Sequence, residues 1–208
     1  MLPAMSPRTV DALNGPSMIL QPAEMSVLLD LAREALEIAV IRGVLPEESR
    51  EDLPSRLREE RGCFVTLTRR GDLRGCIGNV FPAGPLFRKA QEHARAAALH
   101  DTRFGPVTPM ELPEIDVEVS VLTAPAPIAF ASPDQLCQLL RPGQDGVVLR
   151  VGARTATFLP QVWEKLPNPE EFLNRLAQKA GCRPDAWQSP DAQVMTYEAQ
   201  HIGGAEAG

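Results

Sequence analysis

Hydrophobic positions along the chain fall into segments whose spacing switches between helical and extended periods. Met25, Leu28, Leu29, Ala32, Ala35, Leu36, Ala39 and Val40 recur at intervals of three and four, the apolar stripe of a helix that ends near Gly43. The stretch CFVTLTRRGDLRGCIG alternates apolar and polar residues on either side of Arg70-Gly71-Asp72, which predicts a strand, a tight turn and a second strand. Leu86, Phe87, Ala90, Ala94, Ala97 and Ala98 return to helical spacing in an alanine-rich segment. IDVEVSVLT, from Ile115 to Thr123, alternates strictly, so Ile115, Val117, Val119 and Val121 share one face and Asp116, Glu118 and Ser120 the other. DGVVLRVGARTATFLP reads as two strands around a turn at Gly152. A helix over 169–180 has Asn168 as N-cap, Pro169 at its first position, Glu171 in a capping box and Gly181 at its end. Residues 193–199 predict a last strand.

Between these elements lie a charged linker, PEESREDLPSRLREERG, with a short helical piece, and a proline-broken loop, DTRFGPVTPMELPE. Residues 1–20 read as an irregular tail, 21–200 as one domain of two lobes, and 201–208 as a frayed end. Strands joined by turns, with helices between some of them, predict an α+β fold with a mostly antiparallel sheet flanked by helices.

The composition narrows the function classes. A formal net charge of −6 repels a nucleic-acid backbone, and only 5% of residues are aromatic, so nucleic acid is an unlikely partner. No apolar run reaches the length of a membrane span and no signal peptide opens the chain, which points away from membranes and to the cytoplasm. The four cysteines are widely spaced, so reduced thiols are expected, with no metal and no cofactor. Neither a GxGxxG after a strand nor a GxxxxGK[ST] occurs, which removes the common nucleotide folds.

One motif stands apart. GDLRGCIGN places Cys76 between Gly75 and Gly78, with Arg74 two residues before it. On an extended strand Arg74 and Cys76 share a face, and a guanidinium near a thiol favours the thiolate. A buried cysteine that merely packs is the competing reading. Glycines let a ligand approach main-chain N–H groups, or they mark a packed bulge. Asp101 and Arg103 in HDTRF can pair with each other or with Arg74, while Glu118 and Ser120 belong to a row that also fits the wet face of a sheet.

FVTLTRRGDLRGCIGN, DTRFGPVT, IDVEVSVL, ATFLPQVW and LAQKAG together resemble the AMMECR family, whose bacterial and archaeal members are called AmmeMemoRadiSam system protein A. The resemblance runs from about Leu28 to Tyr197. It implies a larger and a smaller lobe with a cleft between them, and gathers Arg74, Gly75, Cys76, Gly78, Asp101, Arg103, Glu118 and Ser120 near one another. It also implies a modification pathway shared with a Memo-type protein and a radical S-adenosylmethionine enzyme. The chain has no C-x3-C-x2-C motif, so it is not that radical enzyme.

Two readings follow. In the first the protein is an accessory or substrate-binding component that holds an unidentified small molecule or peptide. In the second it is a thiol-dependent enzyme, with Cys76 as nucleophile, Arg74 as its activator and Asp101 or Glu118 as acid/base, while Gly75, Gly78, Arg103 and Ser120 bind the ligand.

Overall fold

A computed structural model describes residues 19–46 and 52–204. Most of the expected tail, residues 47–51 of the charged linker and residues 205–208 lie outside that description.

The first helix, α1, spans Pro22–Arg42 and closes at Gly43, whose φ of 72° is the left-handed conformation that glycine adopts without a Cβ penalty. In the linker the helical piece is a single 3-10 turn, Ser55–Arg58. The hairpin follows, with β1 at Cys63–Arg69 and β2 at Asp72–Asn79. α2 covers Leu86–Leu99, and β3 covers Ile115–Leu122. Beyond it come a two-residue strand, β4 (Ala126–Pro127), and a short helix, α3 (Pro133–Leu139). A second hairpin pairs β5 (Gly146–Val151) with β6 (Arg154–Phe158). α4 spans Pro169–Lys179, with the Asn168 side chain accepting the Glu171 N–H as its cap. The last strands among the described residues are β7 (Ala192–Tyr197) and β8 (Ala199–Gly203).

These elements form two four-stranded antiparallel sheets, ordered β2-β1-β3-β8 and β4-β7-β5-β6. The fold is therefore α+β. α1 and α2 cover one face of the first sheet, where Val65, Leu67, Val117 and Val119 meet Leu28, Ala32, Leu86, Ala90 and Ala94. A second core gathers Leu136, Leu149, Trp163, Phe172, Leu173, Leu176 and Trp187 around the other sheet. Val80, just past β2, and Leu122 of β3 meet Val148 and Tyr197 from the second sheet, and this smaller cluster joins the lobes.

The last expected strand divides in two. Glu198 separates β7, which belongs to the second sheet, from β8, which pairs with β3 in the first. Glu198 is held where the chain crosses, its carbonyl accepting from Thr123 N at 2.9 Å and its N–H donating to Thr123 Oγ1 at 2.8 Å. Residues 201–203, expected to fray, are instead an ordered edge, because β3 offers an unpaired side and backbone groups there gain hydrogen bonds by pairing.

Candidate functional site

The strand register places the chemistry. Across the first sheet Cys76 sits opposite Thr66, and Thr66 sits opposite Glu118. Directly opposed residues project to the same face, so a row of Cys76, Thr66 and Glu118 crosses three strands on the face away from α1 and α2. The neighbouring row is Gly78, Phe64, Ser120 and His201. Thr66 Oγ1 donates to Cys76 Sγ at 3.5 Å, a contact that fits a close, non-hydrogen-bonded strand pair.

In such a pair the backbone groups of Cys76 point outward from the sheet edge, and the loop after α2 meets them. Asp101 Oδ2 accepts the Cys76 N–H at 2.9 Å, while Arg103 Nη2 donates to the Cys76 carbonyl at 3.3 Å. Arg103 also binds Asp101, at 2.9 Å through Nε and 2.6 Å through Nη2. Asp101 is only 6% exposed. The hydrogen bonds from Arg103, joined by the backbone N–H of Cys76, hold its carboxyl well below the usual carboxylate range. Asp101 is therefore ionised near neutral pH and braces the edge strand as a carboxylate.

Arg74 departs from the simple alternation. Leu67 pairs with Gly75 and Thr68 with Leu73, so Arg74 is the extra residue of a β-bulge. The kink turns its guanidinium to the loop over 105–111, where it donates to Glu111 Oε1 at 2.9 Å and to the carbonyls of Gly105 and Pro106 at 2.9 and 3.2 Å. This pairing, with further bonds from Thr108, lowers the Glu111 pKa to about 2. No Arg74 hydrogen bond reaches Cys76. A cation beside the thiol is Arg103, whose charge is favoured first by Asp101 and then, more weakly, by Cys76.

Both glycines of the motif have their Cβ direction filled. A methyl group at Gly75 would run into the Ala97 carbonyl of α2, and one at Gly78 would meet the Cys63 carbonyl and the Phe64 ring. Close backbone approach explains them.

The second lobe supplies groups that sequence reasoning passed over. Gln161, on the 3-10 turn Pro160–Glu164, donates through Nε2 to Glu118 Oε1 at 3.2 Å and lies 3.2 Å from His201 Nδ1. Ser120 Oγ, fully buried, lies 2.9 Å from His201 Nδ1 and 3.4 Å from Glu118 Oε1. Lys179 donates to the Thr157 carbonyl at 2.9 Å and lies 5.0 Å from the Phe158 ring centroid. Lys179 is an exposed residue, yet desolvation lowers its pKa, with Cys76 opposing that shift and Arg103 adding to it. Thr66 was visible as a polar position on β1, but His201 lay in the segment expected to fray, and Gln161 sits in ATFLPQVW, a block that carries the family resemblance but no expected site residue.

Of the other thiols, Cys63 is fully buried, and burial pushes its pKa up to about 12. Among the described residues no group of three or more His, Cys, Asp or Glu side chains is placed to hold a metal ion. Two concavities, of about 440 and 780 Å³, are lined by second-lobe residues, and Cys76 borders neither. No helix among the described residues is long and apolar enough to cross a membrane.

Comparison with known proteins gives a consistent answer. A protein of Methanothermobacter thermautotrophicus is 42% identical over 182 residues, covering 85% of this chain and 92% of its own. A protein of Methanopyrus kandleri is 40% identical over 185 residues, covering 85% and 86%. The crystal structure of an uncharacterized protein from Pyrococcus horikoshii superposes with a TM-score of 0.84 at 34% identity, over 89% of this chain and 94% of that one. The AMMECR1 family model matches residues 29–202, and with these relatives it establishes that the chain belongs to the AMMECR1 family.

Proposed function

We propose that the protein is an accessory, ligand-holding component of a modification pathway, with its ligand lying on the outer face of the first sheet beside Cys76. The observation that carries this reading is the polar row Cys76, Thr66 and Glu118, approached by Gln161 from the second lobe. A sheet face turned to a second lobe yet carrying a thiol, a hydroxyl and a carboxylate is suited to hydrogen-bonding a ligand. Arg103 and Ser120 belong to this face or its rim, whereas Gly75, Gly78 and Asp101 shape the strand that carries Cys76.

The link to a Memo-type protein and a radical S-adenosylmethionine enzyme rests on family membership. Sedimentation velocity of purified mixtures tests it. A net charge of −6 supports a small molecule or peptide over nucleic acid as the ligand.

A second reading, a thiol enzyme, is favoured by the Thr66 hydroxyl on Cys76 Sγ and by the Arg103 charge nearby. In that reading the activating cation is Arg103, and Glu118 is the remaining candidate for proton transfer.

Iodoacetamide labelling of the folded protein, read by peptide mass spectrometry, separates the outcomes. Modification of Cys76 at a rate far above that of Cys63, yet no faster than a free cysteine, fits the ligand-holding site. A rate well above free cysteine moves the assignment to the enzyme. Labelling only on unfolding removes both.

A further inference from the structure

Three buried or partly buried carboxylates around the β1–β2 hairpin are matched with arginines. Asp101 pairs with Arg103, Glu111 with Arg69 and Arg74, and Glu114 with Arg69 and Arg70. Glu118 differs. Its side chain is 27% exposed, and among the described residues neither lysine nor arginine approaches it. Its neighbours are a serine hydroxyl, a glutamine amide and His201 Nδ1 at 3.6 Å, all of them neutral while the histidine is unprotonated.

The unmatched charge has a geometry. Every hydrogen bond to Glu118 goes to Oε1, leaving Oε2 without a donor among the described residues. Gly204 lies beside Oε2, where a Cβ would come within 3.2 Å of that oxygen, and both Gly203 and Gly204 have φ near +83°. The wall next to Oε2 is therefore bare backbone. Independently, Gln161 Oε1 is buried with no hydrogen-bond donor, while Nε2 of the same carboxamide is held by Glu118 and His201. Exchanging the amide atoms would set a carbonyl oxygen against the Glu118 carboxylate, so the orientation is fixed electrostatically. An anion and an unmet acceptor, on two side chains joined by the 3.2 Å hydrogen bond from Gln161 Nε2 to Glu118 Oε1, are complementary to a cation that carries several N–H donors.

We propose that Glu118 and Gln161 form a receptor for a primary ammonium group, so that the ligand of the cleft is an amine, such as a small aliphatic amine or a lysine side chain. Its ammonium binds Glu118 Oε2 over the Gly203-Gly204 backbone and supplies the donor that Gln161 Oε1 lacks. The remainder of the ligand runs across Thr66 toward Cys76, two strand spacings or ~10 Å away. This inference rests on the ligand-holding reading of the same face.

The test is a titration of the ¹⁵N-labelled protein at neutral pH with n-propylamine, with sodium propionate and magnesium chloride as parallel probes. Saturable shifts at Gly203, Gly204 and His201 with the amine alone are expected. Glu118→Gln should weaken the response at least tenfold, and Gln161→Ala severalfold, with circular dichroism confirming the fold. Should Glu118→Gln fail to fold, Gln161→Ala on the partly buried 3-10 turn reads the same site. Equal response to propionate, a response to magnesium without the amine, or undiminished binding in the variants overturns the proposal. Iodoacetamide labelling of Cys76 separates this failure from that of the cleft: an accessible thiol with no amine response leaves the cleft standing without its ammonium receptor.

Discussion

The side chains of Asp101 and Arg103 occupy the edge of β2 at Cys76 as a neighbouring strand would, one accepting its N–H at 2.9 Å and the other donating to its carbonyl at 3.3 Å. An edge strand presents unpaired backbone groups that invite pairing with other chains, and this ion pair closes the edge at the residue that carries the thiol. The position of Cys76 is thus fixed through its backbone, leaving Sγ to accept from Thr66.

Acid should weaken the fold through this brace. The folded-state pKa of Asp101 lies below its unfolded value of about 3.9, so its contribution is complete above that pH and is lost as pH falls below it. Glu111 acts in the same sense, losing its contribution between about 4.5 and about 2. Urea unfolding from pH 6 to pH 2.5 should show stability falling with acid, and Asp101→Asn should flatten part of the slope. An unchanged slope would remove Asp101 from the account. Asp101→Ala, which leaves the Cys76 N–H unpaired, should cost about 2 kcal/mol at pH 7.

The two glycines Gly71 and Gly75 should differ in their tolerance of a methyl group. Gly71 has a φ of 87° and open space around its Cβ direction, so Gly71→Ala carries only the backbone penalty of about 1–2 kcal/mol. Gly75→Ala drives a methyl into the Ala97 carbonyl and should cost about 3 kcal/mol or more. Denaturant midpoints at constant m-value read both. A well-tolerated Gly75→Ala would return that glycine to the ligand.

Arg103 and Arg74 should separate by phenotype. In the thiol-enzyme reading Arg103→Ala removes a cation near Cys76 and slows iodoacetamide labelling at pH 7 severalfold, whereas in the ligand-holding reading the rate stays within about twofold of wild type. Arg74→Ala should leave that rate within about twofold while lowering stability by about 2 kcal/mol, since Glu111 and the loop carbonyls lose a charged donor. The reverse pattern would restore Arg74 as the partner of the thiol.

In the second lobe Phe172 is fully buried, stacked on Trp163 at a centroid distance of 3.7 Å and edge-on to Phe158. Phe172→Ala should destabilise the protein by about 3–5 kcal/mol. Tryptophan fluorescence followed through denaturant gives the midpoint, and a change below about 1 kcal/mol would contradict so central a place in that core.

Sequence alone determined the elements whose signals are local. The stripe from Met25 to Val40, the alternation around Arg70-Gly71 and the valines of IDVEVSVL each state a period within one segment, and the structure follows them. The cap at Asn168 and the stop at Gly181 are equally local, since backbone groups at helix ends find partners within a few residues. Tertiary structure decided what depends on pairing between distant segments. Simple alternation put Arg74 beside Cys76, but a bulge against Leu67 and Thr68 turned it to Glu111. β8 became a strand because β3 had a free edge for it, and the site gained His201 as a result. Gln161 entered because the second lobe folds against the first around Val80, Leu122, Val148 and Tyr197. A periodic pattern specifies which face of a segment is buried, whereas register and lobe packing arise from the summed contacts of residues far apart in the chain, and these alone bring Cys76, Thr66, Glu118 and Gln161 to one seam.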